Sequence, residues 1–191
     1  NIVSQLHDIN KLIDLPKEEV ALSLLPLAHI FERTVMSYYL SRGISIYFID
    51  DISNVANLLK VVKPTIITAV PRLLEKIFNK IKLQISQKPF ISRAIASFAF
   101  AYALKEDLNK NSLLFKIYDK IIYSKFREIF DSRLKKLISG GAPLSKEIAQ
   151  FFVNIGVPVY QGYGLTEFSP VISTNYPNAN KVGSCGKVIP S

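Results

Sequence analysis

A single cysteine in 191 residues rules out an intrachain disulfide framework and any multi-cysteine metal knuckle. Cys185 has no sequence neighbour that would activate its thiol, so an inert role is expected for it, and a reducing, intracellular setting is the default. Glycine (8) and proline (10) are sparse, and apolar residues reach 49% against 20% charged, which excludes disordered, collagen-like and low-complexity character. Long hydrophobic runs are missing too. The most apolar stretch, Ala94 to Leu104, is far short of the ~20 residues that a membrane-spanning helix needs. The N-terminus, NIVSQLHDIN, has neither the basic start nor the apolar stretch of a secretory signal. It also lacks an initiator methionine, so a piece of a longer protein is expected; the lone cysteine and the missing signal make a cytoplasmic location the expectation.

What is present in excess is positive charge, a net +9, and it is concentrated. Lys60 to Lys136 holds 17 Lys/Arg against 6 Asp/Glu, while the rest of the chain is slightly acidic. Such a segment can serve nucleic acid, anionic lipid or anionic small molecules. The favoured reading is that these side chains solvate the outer faces of helices. Nucleic acid is not an expected partner, because no recognised binding motif accompanies the charge. Peripheral contact with an anionic membrane, at its inner face, remains open.

Short β-branched or Leu-rich runs alternate with helical patterns. Ala21–Leu25, Ile44–Ile49, Thr65–Val70, Lys135–Ser139 and Val157–Tyr160 read as strands. Helices are expected at about Ile30–Leu40, Ser53–Val62, Arg72–Gln87 and from Ser145. Asp51, Ser53 and Asn54 are cap candidates for the second of these, and Ser145 for the last. Between about 88 and 132 the apolar residues recur at helical spacing (Phe98, Tyr102, then Leu113, Phe115 to Ile117, Ile121), which predicts an insertion of two or three helices with these residues in the core. After Pro170 short strands and turns are expected. The fold class is therefore α/β, a largely parallel sheet with helices on both faces.

Ligands of open parallel sheets bind beyond the carboxyl ends of the strands. Those ends carry Pro26-Leu27-Ala28-His29, Asp50-Asp51, Pro71-Arg72, Gly140-Gly141-Ala142-Pro143 and Gly162-Tyr163-Gly164-Leu165-Thr166-Glu167. Gly140 and Gly141 allow a backbone to approach a ligand closely. Tyr163 could stack a planar base, Thr166 could donate to a phosphate oxygen, and Glu167 could ligate a hard cation such as Mg²⁺. Those roles together describe a nucleotide triphosphate site. Taken singly, a Gly-Gly pair is most often a tight turn, Tyr163 a packing residue, Glu167 a solvated acid and His29 a structural histidine, as His7 is read to be.

The ordered set changes that balance, because it resembles the adenylate-forming enzymes, and within them the long-chain fatty acyl-CoA synthetases. Val157-Pro-Val-Tyr-Gln-Gly-Tyr-Gly-Leu-Thr-Glu167 resembles the adenine- and magnesium-binding motif of that superfamily, and Ser139-Gly-Gly-Ala-Pro-Leu144 the companion adenine loop. Pro26-Leu-Ala-His-Ile-Phe-Glu-Arg33 is similar to the motif that carries the acyl-pocket histidine. Val70-Pro-Arg-Leu-Leu-Glu-Lys76 and the helical insertion after it resemble the long-chain branch, and Val182-Gly-Ser-Cys-Gly-Lys187 a further family segment. The resemblance implies ATP, Mg²⁺ and coenzyme A as cofactors or co-substrates and a long-chain fatty acid as substrate. It implies adenine on Tyr163, lined by Gly140, Gly141, Ala142, Pro143, Gln161, Gly162 and Gly164. It gives Thr166 the α-phosphate, Glu167 the Mg²⁺, and His29 the junction of carboxylate and acyl tunnel, so that Thr166, Glu167 and His29 form the catalytic set.

The family's phosphate loop with its lysine, the ribose-binding aspartate, the hinge and the C-terminal domain are not in these 191 residues. The chain is therefore expected to be the central part of the AMP-binding N-terminal domain and not to form acyl-adenylate by itself. The alternative is a non-catalytic nucleotide- or lipid-binding module.

Overall fold

The computed structural model describes residues 2–49, 54–131 and 133–190. Helix α1 (Ile2–Leu12) leads into strand β1 (Val20–Ser23), followed by α2 (Ile30–Ser41), β2 (Ser45–Phe48), α3 (Val55–Val62), β3 (Ile66–Ala69) and α4 (Pro71–Ser86). Next come α5 (Phe90–Ala103), α6 (Leu113–Tyr118), a π-helical turn at Asp119–Tyr123 and α7 (Ser124–Arg127). The chain closes with β4 (Lys136–Ser139), α8 (Lys146–Asn154), β5 (Val159–Gly164), a 3₁₀ turn (Thr166–Phe168), β6 (Val171–Thr174) and β7 (Lys187–Val188).

The strands form one seven-stranded sheet in the order β2-β1-β3-β4-β5-β6-β7. Pairing is parallel from β2 through β5 and antiparallel for β5–β6 and β6–β7. Side chains alternate along each strand, so neighbouring residues enter different cores. Leu22, Ile67 and Leu137 pack with α4, α5 and α8. Ala21, Ile66 and Ile138 face α1 and α2 on the other side. All four residues of β3 are buried, as a central strand covered on both faces requires. The larger core is aromatic: the rings of Phe78, Phe100 and Phe151 lie 4.7 to 5.1 Å apart, beyond what their area alone contributes. Asn154 on α8 donates to the carbonyls of Ala103 (2.9 Å) and Lys105 (2.8 Å), supplying partners to the end of α5.

Several expectations need correcting. The run VPVY does not end at Tyr160: β5 continues to Gly164, because β6 pairs antiparallel with Gly162, Tyr163 and Gly164. The short strands expected after Pro170 are β6 and the two-residue β7, whereas NYPNANK holds an isolated bridge between Tyr176 and Ala179. In the insertion, the residues singled out by spacing are largely outside the core. Phe98, Leu113, Ile117 and Ile121 are 44 to 75% exposed, and the buried face of α5 is Ala96, Ala99, Phe100 and Ala103. A helix that is apolar on both sides shows its period but not which side is covered. Ser145 stands at the start of α8 and Asn54 at the start of α3, yet neither side chain caps. Asn54 instead accepts from Asn57. Asp50, Asp51 and Ser53 lie outside the described residues. The basic side chains of the middle segment are all exposed except Arg127 and Lys136, as solvation of helix faces requires.

Glu19, at the amino ends of the strands, is 2% exposed and lies 3.4 Å from both Lys135 and Lys136. Burial pushes its carboxyl up, but the Thr65 hydroxyl and the two ammonium groups hold it below the usual range. That anchor fixes the amino ends of the strands and leaves the carboxyl ends for ligand.

Candidate functional site

A cavity of about 610 Å³ opens at the carboxyl ends of β1, β3, β4 and β5. Its exposed end is formed by His29, Gly141, Tyr163, Gly164 and Thr166, with Gly140 and Gly162 beneath them. Its buried end is formed by Ile9, Ile13 and Leu15, from α1 and the segment after it, and by Val35, Tyr38 and Tyr39 from α2. Seven residues singled out from the sequence thus come together: His29, Gly140, Gly141, Gly162, Tyr163, Gly164 and Thr166. Ala142, Pro143, Gln161 and Glu167 do not line this space. Glu167 is exposed on the 3₁₀ turn beside Thr166, and Ala142 and Pro143 are exposed in the loop after β4. The Gln161 carbonyl is taken by the backbone N–H (2.9 Å) and side-chain amide (3.1 Å) of Asn175.

The glycines have specific causes. A Cβ on Gly140 would lie 2.8 Å from Cζ of Phe31, so its bareness accommodates the α2 ring that backs the cavity wall rather than a ligand. Gly141 has φ +82° and a Cβ there would meet only Val70 at an ordinary 3.9 Å, so the backbone conformation demands glycine there. At Gly164 a Cβ would come within 1.9 Å of the Pro170 carbonyl oxygen. That carbonyl accepts from the N–H of Leu165 at 2.9 Å, drawing the start of β6 across the end of β5. This packing holds Tyr163, 49% exposed, and Thr166 at the cavity mouth.

The side chains that close the cavity went unread in the sequence. Gln5 on α1 donates to the carbonyls of Phe168 (2.7 Å) and Val171 (2.9 Å), and accepts from the N–H of Val171 (3.0 Å). This clasp draws α1 over the apolar end. It spans about 165 residues of sequence, which no local pattern reveals. Tyr38 donates to the Ile13 carbonyl, tying α2 to the segment after α1. Tyr39 shares a hydrogen bond of 3.2 Å with Thr68 on β3, and burial holds its phenol well above the usual range. A readable signal did exist for part of this wall: Ile9 on α1 and Ile13 just past its end are spaced i, i+4, and the Ile13 N–H donates to the Ile9 carbonyl at 2.9 Å.

The cavity is therefore amphipathic, with an aromatic ring, an imidazole and a hydroxyl at the open end and aliphatic and phenolic side chains at the closed end. Among the described residues, no three of His, Cys, Asp and Glu converge as a metal cluster. Glu167, on the 3₁₀ turn beside the mouth, offers one exposed carboxylate, a donor of the hard type that Mg²⁺ takes. No described helix is long and apolar enough to cross a membrane.

Comparison with known proteins extends this picture. The chain is 31% identical over 182 residues to the long-chain-fatty-acid–CoA ligase FadD15 of Mycobacterium bovis, a match covering 92% of this chain and 30% of that protein. It is 31% identical over 201 residues to long chain acyl-CoA synthetase 3 of Arabidopsis thaliana, covering 100% of this chain and 30% of that one. The chain thus spans about 30% of the length of these relatives. Among solved structures, ATP-bound MatB from Rhodopseudomonas palustris superposes with a TM-score of 0.65 at 19% identity, over 99% of this chain and 29% of that one. The N-terminal domain of FACL13 from Mycobacterium tuberculosis gives a TM-score of 0.64 at 19% identity, over 98% and 37%. At these identities the likeness is one of fold. The family described as AMP-binding enzyme matches residues 1–191, the whole chain, and the chain belongs to that family.

Proposed function

We propose that this chain supplies the adenine- and acyl-binding part of a long-chain fatty acid–CoA ligase. The observation that carries the reading is the cavity running from the exposed Tyr163, Thr166 and His29 to the buried Ile9, Ile13 and Tyr38 and the half-buried Val35. A long-chain acyl-adenylate has that polarity: a planar base and a phosphate at one end and an alkyl chain at the other.

In the proposed reaction a fatty carboxylate oxygen attacks the α-phosphorus of ATP and pyrophosphate leaves. The coenzyme A thiol then attacks the acyl carbon, loses its proton and displaces AMP. No protein nucleophile is needed, so positioning and charge stabilisation are the tools left to the chain. The ring of Tyr163 stacks adenine, and the backbone of Gly141, Ala142 and Pro143 borders the base. The Thr166 hydroxyl donates to the α-phosphate. His29, at the start of α2 where the polar and apolar ends meet, orients the carboxylate. Mg²⁺ held by Glu167 would supply positive charge to the phosphate oxygens. Val35, Tyr38 and the α1 residues exclude water from the acyl chain.

The test is a calorimetric titration with a non-hydrolysable long-chain acyl-adenylate analogue. Base stacking on an aromatic ring is worth about 1–3 kcal/mol, so Tyr163→Ala should weaken binding roughly tenfold to hundredfold. Glu167→Gln should change it little, since the analogue has no pyrophosphate and needs no Mg²⁺. Equal affinity in wild type and Tyr163→Ala would contradict the placement of the base.

A second contact is proposed on the opposite face of the sheet. Phe90, Ile91, Ile95 and Phe98 on α5 are 47 to 76% exposed, and Lys88, Arg93, Lys116 and Lys120 on the same insertion are exposed as well. Exposed apolar side chains among cations suit an anionic bilayer surface. Vesicles containing anionic lipid should sediment more of the chain than neutral ones, and Phe98→Glu should remove the difference. Equal sedimentation by both vesicle types would sink the contact.

A further inference from the structure

Glu32, in the first turn of α2, is 0% exposed. Its Oε1 accepts a 2.6 Å hydrogen bond from the Ser23 hydroxyl at the end of β1. Its Oε2 is buried with no partner. Few acids are fully buried without a cation beside them, and among the described residues no lysine, arginine or histidine forms an ion pair with this one. The groups that face it are the Ser23 hydroxyl and Leu25 N–H from the β1 side and the Tyr39 phenol from its own helix, which is itself engaged with Thr68 of β3. A single side-chain hydrogen bond, an Oε2 without a partner and the absence of a positive charge beside it suit a neutral carboxylic acid better than a carboxylate. Burial outweighs the hydrogen bonds from Ser23 and Leu25, and the group is pushed up from 4.5 to about 7.

The position matters because of what adjoins it. Ser23 and Glu32 bracket the β1–α2 turn, and that turn supplies Leu24, Leu25, Pro26, His29, Ile30 and Phe31 to the cavity wall. The Ser23–Glu32 hydrogen bond closes this turn from behind, on the side away from the ligand. We propose that Glu32 is a positioning residue that works as a neutral acid. Protonated, it seats the first turn of α2 on the end of β1 and holds His29 and Phe31 at the cavity; ionised, it puts an unsolvated charge in the dry helix–sheet interface and loosens that wall. The proposal rests on the cavity being the ligand site, as argued above, but its proton can be read without any ligand.

The sign follows from linkage. A carboxyl raised in the folded state binds its proton more tightly there than in the unfolded chain. Its contribution to stability is therefore complete below about pH 4.5, is lost progressively as pH rises to about 7, and is level above that. Affinity for the acyl-adenylate analogue should hold up to about pH 7 and fall above it.

Glu32→Gln keeps the size, the neutrality and an acceptor for Ser23 while removing the titration. The experiment compares wild type with this variant from pH 5 to 8.5 in three readouts: urea midpoint, affinity for the analogue, and hydrogen exchange at residues 24–31. The two proteins differ at this one residue, so a slope seen in wild type alone belongs to Glu32. The expected result is a wild-type midpoint that falls between pH 5 and 7, and affinity and 24–31 protection that fall above pH 7, all three relative to a variant that lacks these slopes. Matching profiles in the two proteins would overturn the proposal. A stability difference with unchanged protection at 24–31 would overturn the positioning role alone. Failure of both proteins to bind the analogue at any pH would count against the ligand assignment, while exchange at 24–31 would still decide the role of Glu32.

Discussion

Gly164→Ala is expected to destabilise the chain by about 3 kcal/mol or more, at the upper end of what overpacking costs, and to abolish binding of the acyl-adenylate analogue. The methyl group has no place to go: the Cβ position lies 1.9 Å from the Pro170 carbonyl oxygen and 3.2 Å from Cα of Val171, both backbone atoms. A flexible side chain could swing aside, but here β6 itself would have to move. Moving β6 breaks the Leu165 N–H to Pro170 bond and shifts the register around Tyr163 and Gly164, where the pairing is already irregular. Gln5, which grips Val171 from α1, would lose its partner as well. The loss should therefore reach both ends of the cavity. Gly162→Ala is the matched control: its Cβ would meet the Ser173 carbonyl oxygen at 3.4 Å, ordinary contact, and a small effect is expected. Urea denaturation of the two variants checks the contrast; equal midpoints would contradict the close-approach account.

Val35→Trp is expected to separate the two ends of the site. Val35 lies on α2 among the apolar lining residues and is only partly buried, so its side chain faces available space. An indole there fills the acyl end while leaving Tyr163 and Thr166 untouched. Each buried methylene contributes about 0.8 kcal/mol, roughly fourfold in affinity. Wild type should therefore bind a dodecanoyl-adenylate analogue at least about a hundredfold tighter than a butanoyl one, from only a few such methylenes. Val35→Trp should collapse that ratio to within about tenfold and leave butanoyl affinity near wild type. An unchanged ratio would show that the alkyl chain lies elsewhere.

The parallel half of the sheet was legible because central strands buried on both faces read as continuous apolar runs, as in Thr65–Val70, and because Pro64, Pro71 and Gly140 punctuate them. The strand ends, and hence the polar mouth of the cavity, followed from topology alone. The end of β5 was misread for a physical reason: a Gly-Tyr-Gly run has weak strand propensity, and only the antiparallel partner β6 makes it a strand. The exposed rows on α5 and α6 were misassigned because spacing gives a helix its faces but not its neighbours. The closed end of the cavity was illegible because it depends on Gln5, Tyr38 and Tyr39. Each of them acts through one hydrogen bond or clasp to a residue that is distant in sequence or buried in another element. Buried polar side chains of this kind look like ordinary surface residues in a string of letters.

The central claim is that adenine and acyl chain occupy the two ends of one cavity, and photo-crosslinking tests it most directly. The probe is a long-chain acyl-adenylate analogue with a diazirine at the end of its alkyl chain, and the labelled peptides are mapped by mass spectrometry. The account predicts saturable label within residues 2–15 or 30–41, competed by unlabelled analogue and strongly reduced in Tyr163→Ala. Label confined to residues 90–123, or label that excess analogue does not compete away, would contradict it.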